Sequence, residues 1–406
     1  MSSPDKIAKA IEAYIDSDQF AGAVSLVWRD GKIVQAGAVG WRDRETLDPM
    51  ARDAIFRIAS MSKPVTALAA LTLLEEGRFS LDDPISTWAP EFAGMRVLRS
   101  PAGPLDETDP AVREITFDDL LTHRSGLTYS EMTGGPIDAA YRAALGWDID
   151  SERSPDAWIA GLATLPLIDQ PGAGFHYGHS SDLLGLLIAR MDGTSLGEVL
   201  KRRIFDPLGM KDTGFIVPPE KRDRRAVMYG FDEAGSIIAR ATLAGAVMAE
   251  RPEHLTYESG GQGLWSTADD YLAFARLFVG EGAVDGVRLL KPETLALMTA
   301  NQLTEEQRGR GEMFGMPVFT GHGFGLGLAV VMDPEKAPAT RCKGGVGTVG
   351  WPGAFGGWWQ ADPTDGSVMV FLAHNRFEIE QLSKGVGLGV YGAITEFHAL
   401  ASAFGS

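Results

Sequence analysis

Strand patterns stand at both ends of this 406-residue chain, and a long stretch of helical pattern separates them. The strand patterns cover residues 23–28, 33–39, 55–58, 323–331, 354–361 and 367–372. The first two flank Asp30-Gly31, and an Asp-Gly pair between apolar runs is a strong β-hairpin signal. A helical pattern over residues 383–401 closes the chain. This arrangement predicts one antiparallel sheet to which both ends of the chain contribute.

The segment between the strands carries two kinds of pattern. From Ser60 onward apolar residues recur at three- and four-residue spacing, which predicts a helix that ends at Gly77. Residues 82–214 are rich in Pro, Gly and helical patches and are interpreted as an insertion. We therefore expect an α+β fold in two parts. An antiparallel sheet flanked by helices occupies a discontinuous domain, residues 1–81 and 215–406, and residues 82–214 form a second, mostly helical domain.

The charge balance and the cysteine count narrow the possible functions. Lys and Arg number 37 against 54 Asp and Glu, so the formal net charge is −17 and no nucleic-acid partner is expected. The single cysteine, Cys342, excludes an intrachain disulfide and any cluster of cysteine metal ligands. The first residues lack a secretory signal, and no run approaches ~20 apolar residues. We expect a cytoplasmic protein without a membrane span.

Ser60-Met61-Ser62-Lys63 places a serine and a lysine at the start of the predicted helix. Side chains three residues apart share a helix face, so the Lys63 amine can reach the Ser60 hydroxyl. A serine hydroxyl is a weak nucleophile that needs a base, and a lysine among apolar side chains can lose its charge by desolvation and act as that base. Taken alone, the tetrapeptide fits a capped helix with a solvated lysine better, so the functional interpretation depends on the rest of the chain.

Four further segments follow in order along the chain. They are LLTHRSGL at 120–127, PGAGFHYGHS at 171–180, GGQGLWSTADD at 260–270 and WPGAFGG at 351–357. With the S-x-x-K tetrapeptide, this set resembles the serine β-lactamase and penicillin-binding protein superfamily. Within that superfamily it is most similar to the family VIII carboxylesterases, which are related to class C β-lactamases. The resemblance extends from about residue 5 to residue 400 and implies a β-lactamase-like version of the α+β fold.

The resemblance implies roles for three reactive side chains. Ser60 becomes the nucleophile that accepts the acyl group, and Lys63 becomes its base partner. Tyr177 matches the tyrosine of the family's Y-x-N element, whose phenol passes protons among nucleophile, leaving group and water. An ammonium group nearby would stabilise a phenolate, which suits Tyr177 to that task. His179 stands where the family has asparagine, and its role is open because the charge of histidine varies with pH.

The K-T-G element of β-lactamases is absent, and Trp351-Pro352-Gly353 resembles the W-x-G element of the esterase branch. An indole offers apolar surface and one N–H donor in place of the lysine that holds a β-lactam carboxylate, which favours a neutral ester. The resemblance also implies that the N–H groups of Ser60 and Ala354 hold the oxyanion. The expected substrate-binding and oxyanion residues are therefore Trp351, Gly353, Ala354 and His179.

Together these residues predict a serine hydrolase that cleaves small, short-chain carboxylic esters through an acyl-enzyme on Ser60. The same site could act on an amide, as a β-lactamase or a D-amino-acid peptidase, or could pass the acyl group to an alcohol as an acyltransferase. A degenerate binding module is a further alternative, and the intact Ser60, Lys63 and Tyr177 argue against it. The expected partner is a small-molecule ester, with no cofactor and no metal ion.

Two segments resemble functional motifs but favour structural interpretations. Lys343-Gly344-Gly345 superficially matches K-T-G, yet it lies too far ahead of the W-x-G element and is expected in a loop. Gly193-Thr194-Ser195-Leu196-Gly197 matches the nucleophile elbow of α/β-hydrolases, but a helical pattern precedes it where that elbow needs a strand. Ser195 is therefore expected to open an S-x-x-E capping box.

Three smaller features are also assigned to structure. Residues 266–269 are interpreted as a second capping box. The glycines of residues 323–327 alternate at period two, which fits a tightly packed strand better than a phosphate cradle. His176 and His179 flank Tyr177 in a predicted loop, and the chain has no paired histidine spacing typical of a zinc site.

Overall fold

An eight-stranded antiparallel sheet forms the centre of the computed structural model, which describes residues 3–130, 132–146, 149–240, 251–252, 254–313 and 315–403. Its strands are β1 (Gly22–Arg29), β2 (Lys32–Asp43), β3 (Asp48–Pro49), β4 (His322–Phe324), β5 (Ala329–Val331), β6 (Val349–Gly350), β7 (Gly357–Asp362) and β8 (Ser367–Ala373). Their order across the sheet is β4-β5-β6-β7-β8-β1-β2-β3. The predicted α+β fold, with one antiparallel sheet to which both ends of the chain contribute, is thereby confirmed.

Strand β1 lies inside the sheet because strands from both ends of the chain pair with it. On one side β8 runs antiparallel to it, with Ala23 opposite Ala373 and Trp28 opposite Val368. On the other side β2 completes the predicted hairpin. Asp30 and Gly31 of the hairpin turn have φ angles of 52° and 76°, the left-handed pair that a tight two-residue hairpin requires.

The two faces of the sheet are covered by different helices, and the alternation along β1 shows this directly. Val24 and Leu26 face the larger buried cluster, which also contains the apolar side chains of helix α2 (Ser62–Glu75). Ala23 and Val27 face the opposite cluster, which contains side chains of the first and last helices. Because strand side chains alternate between faces, a fully buried strand must be apolar on both, as β1 is.

Helices occupy most of the remaining regular structure in the described residues. They are α1 (Ser3–Asp16), α2 (Ser62–Glu75), α3 (Phe117–Leu121), α4 (Pro136–Leu145), α5 (Pro155–Ala163), α6 (Ser180–Asp192), α7 (Leu196–Leu200), α8 (Asp206–Leu208), α9 (Ala268–Ala275), α10 (Pro292–Thr299), α11 (Glu305–Arg310), α12 (Ile379–Ser383) and α13 (Gly389–Ser402). None of the helices in the described ranges is long and apolar enough to cross a bilayer. The cytoplasmic location stays a prediction.

Short two-stranded pairs account for the remaining strands in the described residues. They join Phe56–Arg57 to Trp265–Ser266, Arg96–Leu98 to Thr108–Pro110, Tyr229–Phe231 to Ile237–Ala239, Ala283–Val284 to Val287–Arg288 and Glu312–Met313 to Met316–Pro317. Buried side chains from 82–214 join those of the sheet and α2 in one continuous apolar cluster. The division of the chain into two domains at residues 82 and 214 stays a prediction.

Helix α2 is the most deeply buried helix segment near the sheet, since every residue from Ser62 to Leu71 is buried. It packs against α6 and α7, and the turn at Gly327 contacts it at Ala67, so apolar side chains occur on all of its faces. Its first turn is fixed by the Tyr271 hydroxyl, which donates to the Met61 carbonyl at 2.9 Å. Gly77, with φ of 71°, follows the helix end as predicted.

Two sequence predictions are wrong in their continuity. Residues 323–331 form two strands, β4 and β5, because the chain reverses between them at Gly327, whose φ is 86°. The glycines that suggested one packed strand therefore make a turn. The closing helix is likewise divided into α12 and α13, with Gly385 and Gly387 in left-handed conformations between them.

The Gly327 turn presses directly on α2, and this contact can be tested. A Cβ at Gly327 would lie 2.7 Å from the Cβ of Ala67, whereas a Cβ at Gly286, which has the same φ of 86°, would meet no atom within 4 Å. Gly286→Ala should cost about 1–2 kcal/mol of unfolding free energy from left-handed strain alone. Gly327→Ala should cost about 1–3 kcal/mol more because of overpacking. Urea unfolding of both variants measures the difference, and equal losses would contradict the packing argument.

Candidate active site

Ser60 lies in a 3₁₀ turn, Ala59–Met61, that connects the short strand Phe56–Arg57 to α2. Ala59 has a φ of 45°, a left-handed conformation that costs a non-glycine residue roughly 1–3 kcal/mol. Neighbouring segments hold this strained turn, because the Ile58 N–H donates to the Leu264 carbonyl at 3.0 Å. Ser60 is thereby held two residues before the start of the buried helix α2.

Lys63 lies one helical turn after Ser60, on the same face, as predicted. Its Nζ donates to three oxygens: the Ser60 Oγ at 3.3 Å, the Tyr129 hydroxyl at 3.0 Å and the Gly261 carbonyl at 2.9 Å. These contacts use all three donors of an ammonium group. The Lys63 side chain is completely buried, so bulk water cannot take the place of these three acceptors.

Tyr177 is the second residue that bonds to the Ser60 oxygen. Its hydroxyl donates to the Ser60 Oγ at 2.7 Å, and the indole Nε1 of Trp351 donates to the Tyr177 oxygen at 3.1 Å. The Lys63 Nζ lies 4.5 Å from the centre of the Tyr177 ring. The structure therefore brings together Ser60, Lys63, Tyr177 and Trp351, four residues that the sequence analysis selected.

Two contacts with residues 123–128 fix the position of Tyr177. The His176 N–H donates to the His123 carbonyl at 2.7 Å, which joins the HRSG segment to the segment that carries Tyr177. Gly178 allows the closest approach, since a Cβ there would lie 2.3 Å from the Thr128 Cα. This contact brings the Tyr129 and Tyr177 rings together in an edge-to-face arrangement, with ring centres 5.6 Å apart.

Tyr129 is a site residue that the sequence analysis missed. It is a buried tyrosine whose hydroxyl is one of the three acceptors of the Lys63 ammonium. Its sequence signal was weak, because it stands just after the LLTHRSGL segment and a single tyrosine next to apolar residues is ordinarily a packing residue.

His123 packs directly against Tyr177. Its ring centre lies 4.9 Å from that of Tyr177, and its φ is 55°. Burial and the nearby Lys63 charge lower the pKa of His123 well below its ordinary value, so the ring is neutral at pH 7. Neither ring nitrogen has a hydrogen-bond partner in the described part of the chain. His123 thus supplies a neutral aromatic surface behind Tyr177.

His179 lies behind Tyr129 and is completely buried, with its ring centre 4.6 Å from that of Tyr129. Its Nδ1 lies 3.2 Å from the Oδ2 of Asp182. The other carboxylate oxygen of Asp182 accepts from the Ser259 hydroxyl and from the Gly261 N–H, and Gly261 in turn accepts from Lys63. This position suits a residue that supports the site from behind, and not one that touches a substrate.

The loop after β6 carries the remaining selected residues and contacts the Ser60 turn. A Cβ at Gly353 would lie 2.4 Å from the Ile58 carbonyl oxygen, so only glycine fits there. Phe355 packs in one buried cluster with Ala59. Within the described ranges, the backbone N–H groups of Ser60 and Ala354 donate to no backbone carbonyl. Both remain available, and their role as oxyanion donors stays a prediction.

The motif-like segments have structural roles, but the two predicted capping boxes are only partly correct. Residues 343–345 lie in a loop whose N–H groups bind Gln360 and Asp362. Ser195 is exposed and accepts the Glu198 N–H at 3.3 Å, which caps α7 with a single bond and not with the predicted box. Helix α9 is likewise capped by a single bond, from the Asp270 N–H to Thr267, so the box predicted at 266–269 is wrong by one residue and in its type.

The described residues also limit other chemistries. No group of three or more His, Cys, Asp or Glu side chains among them is placed to hold a metal ion. Burial raises the pKa of the Cys342 thiol to about 12, so this cysteine has almost no thiolate at neutral pH. The Ser60 hydroxyl, in contrast, is hydrogen-bonded to a phenol and an amine, an environment in which a serine can act as a nucleophile.

Comparisons with known proteins agree with this arrangement. The model of the beta-lactamase family matches residues 7–384. Protein Rv1367c of Mycobacterium tuberculosis is 45% identical over 366 residues, covering 89% of this chain and 88% of that protein. Esterase EstB of Burkholderia gladioli is 32% identical over 375 residues, covering 89% and 87% of the two chains.

A solved structure extends the likeness to the whole fold. EstCE1, described as a hydrolase with promiscuous acyltransferase activity, superposes with a TM-score of 0.77 at 27% identity, covering 97% of this chain and 98% of that one. The family match, the esterase relative and the shared fold agree with the serine-centred site described above. The chain belongs to the beta-lactamase family and is a serine hydrolase of that superfamily.

Proposed function

We propose that the protein is a carboxylesterase that cleaves small carboxylic esters through an acyl-enzyme on Ser60. The observation that carries the proposal is the environment of one oxygen atom. The Ser60 Oγ lies 2.7 Å from the Tyr177 hydroxyl and 3.3 Å from the Lys63 Nζ, within the reach that proton transfer requires. The esterase name of the EstB relative, at 32% identity, supports the choice of substrate class.

In the first half of the reaction, the Tyr177 and Lys63 pair starts with one proton fewer than a phenol and an ammonium group hold together. The Ser60 Oγ attacks the ester carbonyl carbon, and its proton passes to this pair. The carbonyl oxygen becomes an oxyanion, which the N–H groups of Ser60 and Ala354 stabilise. Removal of one such donor typically costs ~10²–10³ in rate. The C–O bond to the alcohol then breaks, and Tyr177 returns the proton to the leaving alkoxide.

In the second half, water replaces the alcohol. Tyr177 accepts a proton from the water molecule as that water attacks the acyl carbonyl, and the oxyanion forms again at the same two N–H groups. The Ser60 oxygen then leaves with a proton from the same pair, which releases the carboxylic acid and restores the free hydroxyl. Because its Nζ lies 4.5 Å from the Tyr177 ring centre, Lys63 stabilises negative charge on the phenol oxygen in both halves of the reaction.

Trp351 favours an ester over a β-lactam. The buried indole places its single N–H on Tyr177 at 3.1 Å, where the K-T-G element of a β-lactamase would present a lysine. A β-lactamase or D-amino-acid peptidase would use the same three reactive residues on an amide. Nitrocefin hydrolysis at rates that rival ester hydrolysis would favour that alternative.

Acyl transfer is a second candidate activity, because EstCE1 is described as a hydrolase with promiscuous acyltransferase activity. An alcohol would enter where water enters in the second half of the reaction and would need the same proton acceptor. Product analysis with an added alcohol distinguishes the two outcomes, since hydrolysis yields the free acid and transfer yields a new ester.

The nucleophile is tested with a pair of serine variants. Ser60→Ala removes the attacking oxygen and should abolish turnover of p-nitrophenyl acetate and butyrate. Ser195→Ala removes the serine of the G-x-S-x-G sequence, an exposed helix cap, and should keep activity within about twofold while costing about 1 kcal/mol of stability. Spectrophotometric kcat values measure both. Ser60→Ala activity above about a tenth of the native value would refute the assignment.

The proton relay is tested with a pair of tyrosine variants. Tyr177→Phe removes the hydroxyl that contacts the Ser60 Oγ and should lower kcat by about 10²–10⁴-fold. Tyr129→Phe removes one acceptor of Lys63 without touching the Ser60 oxygen and should lower kcat by only about tenfold. Steady-state kinetics and thermal unfolding are compared for both variants. A loss for Tyr129→Phe equal to that for Tyr177→Phe would contradict the assigned relay.

A further inference from the structure

Arg341 lies beside the site and takes part in none of the contacts described so far. Its guanidinium carbon is 4.8 Å from the centre of the Trp351 indole, the ring whose N–H donates to the Tyr177 hydroxyl. The adjacent Cys342 packs in the same buried cluster as Tyr129, Tyr177 and Trp351. A cation therefore stands one ring away from the phenol that is proposed to protonate the leaving group.

This cation has no anionic partner in the described part of the chain. The Arg341 side chain makes no salt bridge or hydrogen bond there, and its Nη1 atom is buried without a partner. The titratable groups that interact with it are Cys342, Tyr177, Tyr391 and His322, none of which is a carboxyl group. Burial lowers the pKa of Arg341, yet a guanidinium stays charged at neutral pH.

Arg341 is half-buried, and its Nη1 atom is withdrawn from water without a hydrogen-bond partner, which is costly unless a partner is supplied. The guanidinium carbon lies over the indole ring of Trp351. A cation in this position keeps N–H donors available, and a carboxylate accepts two such donors at once. The missing partner is therefore best supplied by a substrate.

We propose that Arg341 binds a carboxylate on the alcohol portion of the ester substrate. The proposal rests on the proposed esterase function and narrows its substrate class. The alcohol side is chosen because Trp351 connects Arg341 to Tyr177, which transfers the proton to the leaving alkoxide. This proposal modifies the expectation that the W-x-G element selects neutral esters. Trp351 takes the place of the K-T-G lysine, and the Arg341 guanidinium lies over its indole ring.

A matched pair of substrates tests the proposal. 3-Acetoxybenzoate and 3-acetoxybenzamide have the same acyl group and similar shape, but only the first has a negative charge on the leaving phenol. Hydrolysis is followed by chromatography of the released phenol. The native enzyme should show a kcat/KM for the benzoate at least about tenfold above that for the benzamide, the value of one charge-assisted contact.

Three arginine variants locate the effect. Arg341→Gln should bring the ratio of the two kcat/KM values to about one while benzamide turnover stays within about threefold. Arg341→Lys should keep part of the preference. Arg99→Gln removes an equal charge from an exposed, distant position and should leave the ratio unchanged. A native ratio near one, or an equal loss for both substrates in Arg341→Gln, would overturn the proposal and leave Arg341 only as support for Trp351.

A binding measurement separates this proposal from the proposed function. The Ser60→Ala protein is titrated with 3-acetoxybenzoate and with 3-acetoxybenzamide by calorimetry, with and without Arg341→Gln. Preferential binding of the benzoate that Arg341→Gln removes supports the carboxylate site even if the native protein hydrolyses neither compound, in which case the esterase proposal alone fails. Equal binding of the two compounds overturns the carboxylate site even if both are hydrolysed.

Discussion

The buried amine of Lys63 is the constraint around which the active site is built. A charged or polar group that is fully withdrawn from water must find its hydrogen bonds inside the protein, and Lys63 finds them at Ser60, Tyr129 and Gly261. Each partner belongs to a different segment, so one side chain fixes the relative positions of the serine turn, the 123–129 segment and the 260–270 segment. The Tyr177 hydroxyl makes a second hydrogen bond to the same Ser60 oxygen.

Several features of the fold hold the Lys63 amine in place. Helix α2 is buried on all sides, which excludes water from Lys63. The β4–β5 turn contacts α2 through Gly327, where a larger side chain would meet Ala67. Asp182 holds the Gly261 N–H, and the Gly261 carbonyl holds Lys63. The strained φ of Ala59 is tolerated because these surrounding contacts determine the course of the turn.

Sequence patterns were sufficient for the parts of the molecule governed by short spacing or ordered motifs. The S-x-x-K spacing placed Ser60 and Lys63 on one helix face, and the Asp30-Gly31 turn and the strand patterns at both ends gave the sheet. Tyr177 and Trp351 were selected by resemblance. Contacts between distant segments were not predictable in this way: Tyr129, Asp182 and Arg341 matter because the fold brings them near Lys63 or Trp351, and no local pattern encodes that. The glycines near 327 were misassigned because a packed strand and a tight turn both use glycine.

Direct observation of the acyl-enzyme tests the central claim that Ser60 is the nucleophile activated by Lys63 and Tyr177. The protein is mixed briefly with p-nitrophenyl butyrate, quenched in acid and digested, and the peptides are analysed by mass spectrometry. The account predicts one butyryl group, located on Ser60 and absent from the Ser60→Ala protein. A butyryl group on another residue that forms and decays at the rate of turnover would contradict it.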